Sequence, residues 1–272
     1  MRGFLTHPLA CLCALAASMA TATQPSSAVT STRQEQVDAL ATLRLEATSG
    51  GYLAWADNRL DGPIEVRLES LANPAPVSQP GLPARASVAA QGSSLLAALS
   101  TPAGRSGKLA LRLTATPGSS NARPQDVLYL RPLAQTDAPI EQGFEGEFSH
   151  QDLENRYALD FAVPVGTPVL AAREGVVMQV QVQFHGHGLD YAHDAGRANF
   201  IRILHVDGSM ALYAHLAENG ALVHQGQHVE TGQRIGLSGN TGYSTAPHLH
   251  FAVQVNRSMQ LTSIPFRLAK QP

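Results

Sequence analysis

Cysteine is nearly absent. The 272 residues hold two, Cys11 and Cys13, both near the start of the chain. Everything downstream therefore lacks a disulfide framework, a thiol nucleophile and a cysteine-ligated zinc. Charged residues are sparse at 15%, and the formal net charge is only −2. That removes any general electrostatic case for nucleic acid or an anionic membrane surface as partner. The apolar run from Pro8 to about Ala17 is shorter than the roughly 20 residues a membrane span needs, so no span is expected in the mature chain. Histidine is missing between His7 and His150, although the chain has 11 of them. This gap divides the sequence.

With 44% hydrophobic residues, the chain can bury a substantial core. Its opening, "MRGFLTHPLACLCALAASMATATQ", combines basic Arg2, a short apolar run and the small residues Ala20-Thr21-Ala22. Residues 1–22 are therefore expected to be an export signal cut near Ala22. The Ser/Thr-rich residues 23–34 read as a flexible lead.

From residue 35 to 138 the sequence carries "LATLRLEAT", "IEVRLES", "KLALRLTAT" and "DVLYLRPL", alternating runs separated by Gly, Pro, Ser and Asn. Period-two runs at this spacing predict a small antiparallel β-sandwich. "QTDAPIEQG" reads as the link to a second domain over 139–272, also strand-rich, in "ALDFAVP", "GVVMQVQVQF", "NFIRILHVD", "SMALYAHL" and "HLHFAVQV". The Gly- and Asp-rich "HGHGLDYAHDAGRA" is expected to be a surface loop. The fold class expected is all-β.

Chemistry concentrates in "APHLHFAVQV". On a strand, His248 and His250 project to one face, roughly 6–7 Å apart, while Leu249 points the other way into a core. That spacing lets one imidazole hold a metal while its neighbour reaches water beside it. Together with "SGNTGYSTAPHLHFAV", "SMALYAHL", "GQHVETGQRIG" and "YALDFAVPVGTPVLAAREGVV", the segment from about 140 to 260 resembles the lysostaphin-like zinc metallopeptidases that cleave peptidoglycan cross-bridges. The resemblance implies an antiparallel β-sheet core and one Zn²⁺ per chain. Its ligands would include Asp160 and His250, with an open position for water. It further implies that His215 and His248 are non-ligand histidines that orient the attacking water and carry its proton to the leaving amine.

The sequence departs from the family pattern at the first ligand. The usual H-x-G-x-D has Arg156 where the histidine belongs, and a charged guanidinium cannot ligate a cation. A branch of the family resembles this sequence through "QGF.G.FSH…NRYALDF", which implies His150 as the ligand, ten residues before Asp160. His185, His187 and His193 in the Gly-rich loop remain substitutes; His205, His224 and His228 receive no role. Asn199 matches a family asparagine and is a candidate for hydrogen bonding to substrate or behind the ligands.

The function these features imply is an exported zinc endopeptidase acting on the stems or cross-links of peptidoglycan, in the periplasm or secreted. Two other readings compete with it. One is a degenerate relative that binds peptidoglycan or activates an amidase; the other is a secreted protease acting on Gly-rich proteins or rival cell walls. The N-terminal domain would be a spacer or docking module, or an inhibitory one, and a regulatory protein partner is left open.

Overall fold

The computed structural model describes residues 40–100 and 109–270, so the expected export signal and most of the lead lie outside the described residues. The first seven strands are β1 (Ala41–Thr48), β2 (Gly51–Asn58), β3 (Ile64–Ser70), β4 (Val77–Gln79), β5 (Ala84–Val88), β6 (Ser93–Ser100) and β7 (Leu111–Pro117). They form two sheets, ordered β1-β2-β6-β4 and β5-β3-β7. Strand β3 shows why: Ile64, Val66 and Leu68 are fully buried while Glu65, Arg67 and Glu69 alternate outward. Asn58 is buried without cost because its amide donates to the Gly62 and Ala89 carbonyls and accepts the Leu60 N–H. The two sheets make the expected small sandwich.

The second half contributes β8 (Leu128–Tyr129), β9 (Ile140–Gln142), β10 (Ala158–Ala162), β11 (Pro168–Leu170), β12 (Gly175–Gln181) and β13 (His187–Gly188). After a helical turn come β14 (Phe200–Leu204), β15 (Met210–Ala214), β16 (Leu216–Ala221), β17 (His228–Val229) and β18 (Arg234–Ser238). The last four are β19 (Gly242–Tyr243), β20 (His248–Asn256), β21 (Leu261–Ser263) and β22 (Arg267–Leu268). The main sheet is antiparallel and runs β17-β12-β14-β15-β20-β10-β9, with β21 against β20. Along β20, Leu249, Phe251 and Val253 enter a core shared with Val169, Leu216 and Ile235 of the smaller β11-β18-β16 sheet. Phe251 meets Tyr213 and Phe266 there, each with ring centroids 5.1 Å away. The even positions of β20, including His248 and His250, therefore belong to the opposite face.

That opposite face is used twice. Met210 lies on the same side of β15 as Ala214, which stands opposite His250, and Met210 packs with Met178 into the core of the sandwich. Four residues along a strand, about 13 Å, separate that packing from the histidine row. Polar contacts reinforce it: Asp61 N–H donates to the Met178 carbonyl at 3.1 Å, and the Asn256 amide donates to the Gly118 carbonyl at 3.1 Å. The run Leu128–Tyr129 pairs in parallel with β22, and Tyr129, Leu133 and Ala138 pack in the core of the second half.

The Gly-rich segment after Phe184 is more ordered than a plain surface loop. His187–Gly188 pairs in parallel with β19, and a short helix, Tyr191–Asp194, follows. Asp190 starts this helix by accepting the Ala192 N–H with its side chain, a cap the loop reading did not weigh.

Candidate metal centre

The pairing of β10 with β20 sets Asp160 opposite His250 and Ala162 opposite His248, so one sheet face presents the carboxylate and both imidazoles. His250 Nδ1 is 2.9 Å from Asp160 Oδ1, and His248 Nε2 is 3.9 Å from the same oxygen. His150 arrives from the segment between β9 and β10 and completes the group. Its Nε2 lies 3.2 Å from Asp160 Oδ2, and the side chain is fully buried.

The nitrogen atoms can be assigned by their partners. His150 Nδ1 is 2.7 Å from the Gly143 carbonyl, and a carbonyl only accepts, so Nδ1 carries the hydrogen. The lone pair of the neutral ring is then on Nε2, which is buried and has no partner at hydrogen-bonding geometry. A buried, unpartnered imidazole nitrogen beside a carboxylate and a second imidazole is the arrangement a divalent transition metal would satisfy. Among the described residues, His150, Asp160 and His250 are the group whose ligand atoms all lie within 4.8 Å of one another.

Electrostatics keep Asp160 ionised. Burial alone would raise its pKa, but the two adjoining imidazoles outweigh burial and hold it well below the usual carboxylate range. For His150, burial opposes protonation and the neighbouring Asp160 favours it, and the net effect is upward.

His215 stands between β15 and β16 in a left-handed backbone conformation, φ 59°, which costs an L-residue about 1–2 kcal/mol. Its Nδ1–H donates to the Thr241 carbonyl at 2.7 Å, leaving Nε2 as the acceptor nitrogen. Its ring centroid is 4.5 Å from that of His248 and 5.8 Å from that of His250. Burial pushes its pKa down to about 3, helped by the two neighbouring histidines, so it is neutral at ordinary pH. His248 is oriented likewise, with Nδ1–H donating to the Ala246 carbonyl at 2.8 Å. Gly239 lets the turn carrying Thr241 close on β16: a Cβ there would lie 2.3 Å from the Ala217 backbone nitrogen.

Of the two roles expected for Asn199, hydrogen bonding to substrate or behind the ligands, its surroundings fit the second. Asn199 is fully buried, its carbonyl oxygen accepts the Phe184 N–H, and its amide donates to the Phe184 carbonyl at 3.0 Å. Its own backbone N–H donates to Thr241 Oγ1, so it ties the loops behind His215 rather than offering a group to substrate. The substitute ligands are not brought in. His185 is exposed and pairs with Glu218, His193 pairs with Asp194, and His187 is exposed on β13.

His205 is structural: its Nδ1–H donates to the Glu174 carbonyl at 2.7 Å, and its side chain is buried against Tyr129. Burial pushes its pKa down to about 4. Below an unfolded value of about 6.5, the unfolded chain takes up a proton that the folded chain refuses. Stability is therefore undiminished above pH 6.5 and falls toward pH 4, by a contribution approaching about 3 kcal/mol. His205→Asn keeps a donor for Glu174 and is expected to flatten this part of the pH dependence, read as denaturation midpoints from pH 4 to 6.5. An unchanged slope would exclude His205 as its source.

With this geometry in place, residues 154–261 match the profile of peptidase family M23. Over those residues the chain is similar to peptidase family M23. Asp160, Asn199, His215, His248 and His250 fall inside the match, and His150 lies just before it. This chain is 44% identical over 96 residues to the peptidoglycan DD-endopeptidase ShyA of Vibrio cholerae, covering 35% of this chain and 19% of that protein. Against the DD-carboxypeptidase/endopeptidase Mpg of Neisseria meningitidis it is 38% identical over 98 residues, covering 36% of this chain and 20% of that one. The crystallised catalytic domain of lysostaphin from Staphylococcus simulans aligns at 31% identity, over 50% of this chain and 85% of that domain, with a TM-score of 0.33. This chain spans about a fifth of the length of the curated relatives it matches. M23 domains are metallopeptidases, in keeping with the His-Asp-His group.

Gln142 and Thr241 were not singled out by sequence. Gln142 Nε2 donates to Asp160 Oδ2 at 3.0 Å, and Thr241 orients His215. A polar residue on a neighbouring strand, as Gln142, or in a turn, as Thr241, is too common a signal to reveal either.

Proposed function

We propose that this protein is an exported zinc endopeptidase that hydrolyses peptide bonds in the stems or cross-links of peptidoglycan. The observation that carries the reading is the buried trio His150, Asp160 and His250 with two further histidines, His215 and His248, at its side. His150, Asp160 and His250 would hold the zinc, and two imidazoles with one carboxylate are the donor set of a catalytic rather than a closed structural site. When bound, zinc supplies the Lewis acidity that activates water and polarises the scissile carbonyl.

The chain's own groups do the rest. His215, neutral and with Nε2 free, accepts a proton from the attacking water. His248, its ring fixed by the Ala246 carbonyl with Nε2 left as the acceptor, orients the attacking water, and the proton that His215 takes from that water is returned to the leaving amine. His215→Ala and His248→Ala are accordingly expected to retain zinc and to lose about 100-fold or more in turnover, the scale of general acid–base catalysis. Zinc lost along with turnover would make them ligands instead. The relatives ShyA and Mpg, named for peptidoglycan and DD-peptide cleavage, support the substrate class. An export signal over 1–22 would bring the enzyme to that substrate.

The test is digestion of purified peptidoglycan by the zinc-loaded protein, with products read by mass spectrometry. New peptide amino and carboxyl ends, abolished by a chelator, are expected. Intact peptides with tight binding to the wall would favour the non-catalytic reading.

A further inference from the structure

The displaced ligand raises a structural question. In H-x-G-x-D, four residues of strand hold histidine and aspartate together, whereas here ten residues separate His150 from Asp160 and a loop lies between them. Something must fix that loop. We propose that Gln142 is the positioning residue that joins the His150 loop to Asp160 and so assembles the metal site; this rests on the zinc reading above.

Three observations carry it. Gln142 stands directly across from Asp160 in the β9–β10 pairing, so the two side chains share a face. Both ends of its amide are used. Nε2 donates to Asp160 Oδ2 at 3.0 Å and to Ser149 Oγ at 2.8 Å, while Oε1 accepts the Phe148 N–H at 3.0 Å. The residue thus grips the two positions before His150 and the carboxylate at once. Finally, space is kept for it: a Cβ on Gly146 would lie 2.2 Å from Gln142 Cγ.

The base of the loop is tied near β10 by the Glu145 N–H donating to the Arg156 carbonyl at 2.6 Å and by Phe144 against Tyr157, but Gln142 is the side chain that bonds both the residues before His150 and the Asp160 carboxylate. His150 N–H donates to the Gly146 carbonyl and His150 Nδ1–H to the Gly143 carbonyl, which fold the loop on itself without tying it to β10. Phe148 stacks on Tyr243 at 5.6 Å, which steadies its outer rim.

The test is a double-mutant cycle on the full chain, reading zinc affinity by competition with a chromophoric chelator and the melting of the metal-free protein. Gln142→Met keeps the bulk and removes both arms of the amide; Gly146→Ala displaces the amide without altering it. Each single change is expected to weaken zinc binding about 10- to 100-fold, the usual effect of losing a partner behind a ligand, with little change in melting. In the Gln142→Met background, Gly146→Ala is expected to cost nothing more. Zinc affinity within twofold of wild type in Gln142→Met, or effects of the two changes that simply multiply, would overturn the proposal. A wild-type chain that takes up no zinc would instead overturn the metal reading beneath it.

Discussion

Replacing His150 with alanine is expected to remove the bound zinc and to lower peptidoglycan hydrolysis by well over the roughly 100-fold that loss of a partner behind a ligand produces. Its Nε2 is the unpartnered nitrogen of the trio, and the ring is fully buried beside Asp160. Alanine there leaves a carboxylate and one imidazole, too few for the three protein ligands of a catalytic zinc. His250→Ala is expected to match it, because His250 Nδ1 meets Asp160 Oδ1 from the other side. His185→Ala, in an exposed ion pair with Glu218, is expected to change neither metal nor turnover. Elemental analysis beside a turnover assay separates these outcomes. Retained zinc in His150→Ala would return the first ligand to the loop histidines.

A chain that begins at Pro139 is expected to lose cooperative folding altogether. The cut removes Tyr129, Leu133 and Ala138 from the main core, removes the β8 partner of β22, and uncovers Met178 and Met210 where the sandwich packs. Burying a side chain of this size is worth about 1.5–3 kcal/mol, so four large ones together approach the 5–15 kcal/mol by which domains are stable. Thermal unfolding followed by circular dichroism is the measurement. A sharp melt close to that of the longer chain would show that the peptidase half stands alone and that the sandwich is only appended to it.

The strands themselves were legible because burial on one face writes a period of two into the sequence. "IEVRLES" became β3 with Ile64, Val66 and Leu68 inward, and "HLHFAVQV" became β20 with Leu249, Phe251 and Val253 in the core. The same alternation brought His248 and His250 to one face. Alternation does not say which core a short strand will join, and the pairing of Leu128–Tyr129 with the C-terminal β22 is set by contacts 139 residues away, between Leu128 and Arg267. Nor does it say that a polar face will be shared: Met178 and Met210 seat the sandwich on the side of the sheet that bears the histidines. Asn199 was read from its match to a family position, but its amide is consumed by backbone groups of a loop 15 residues earlier. Gln142 acts through a cross-strand register that only the fold defines.

The central claim is that His150, Asp160 and His250 hold one catalytic zinc. Anomalous X-ray scattering at the zinc edge from crystals of the zinc-loaded protein tests it most directly. The account predicts a single peak about 2.0–2.2 Å from His150 Nε2, an Asp160 oxygen and a His250 nitrogen. A peak among His185, His187 and His193, or none in zinc-loaded crystals, would contradict it.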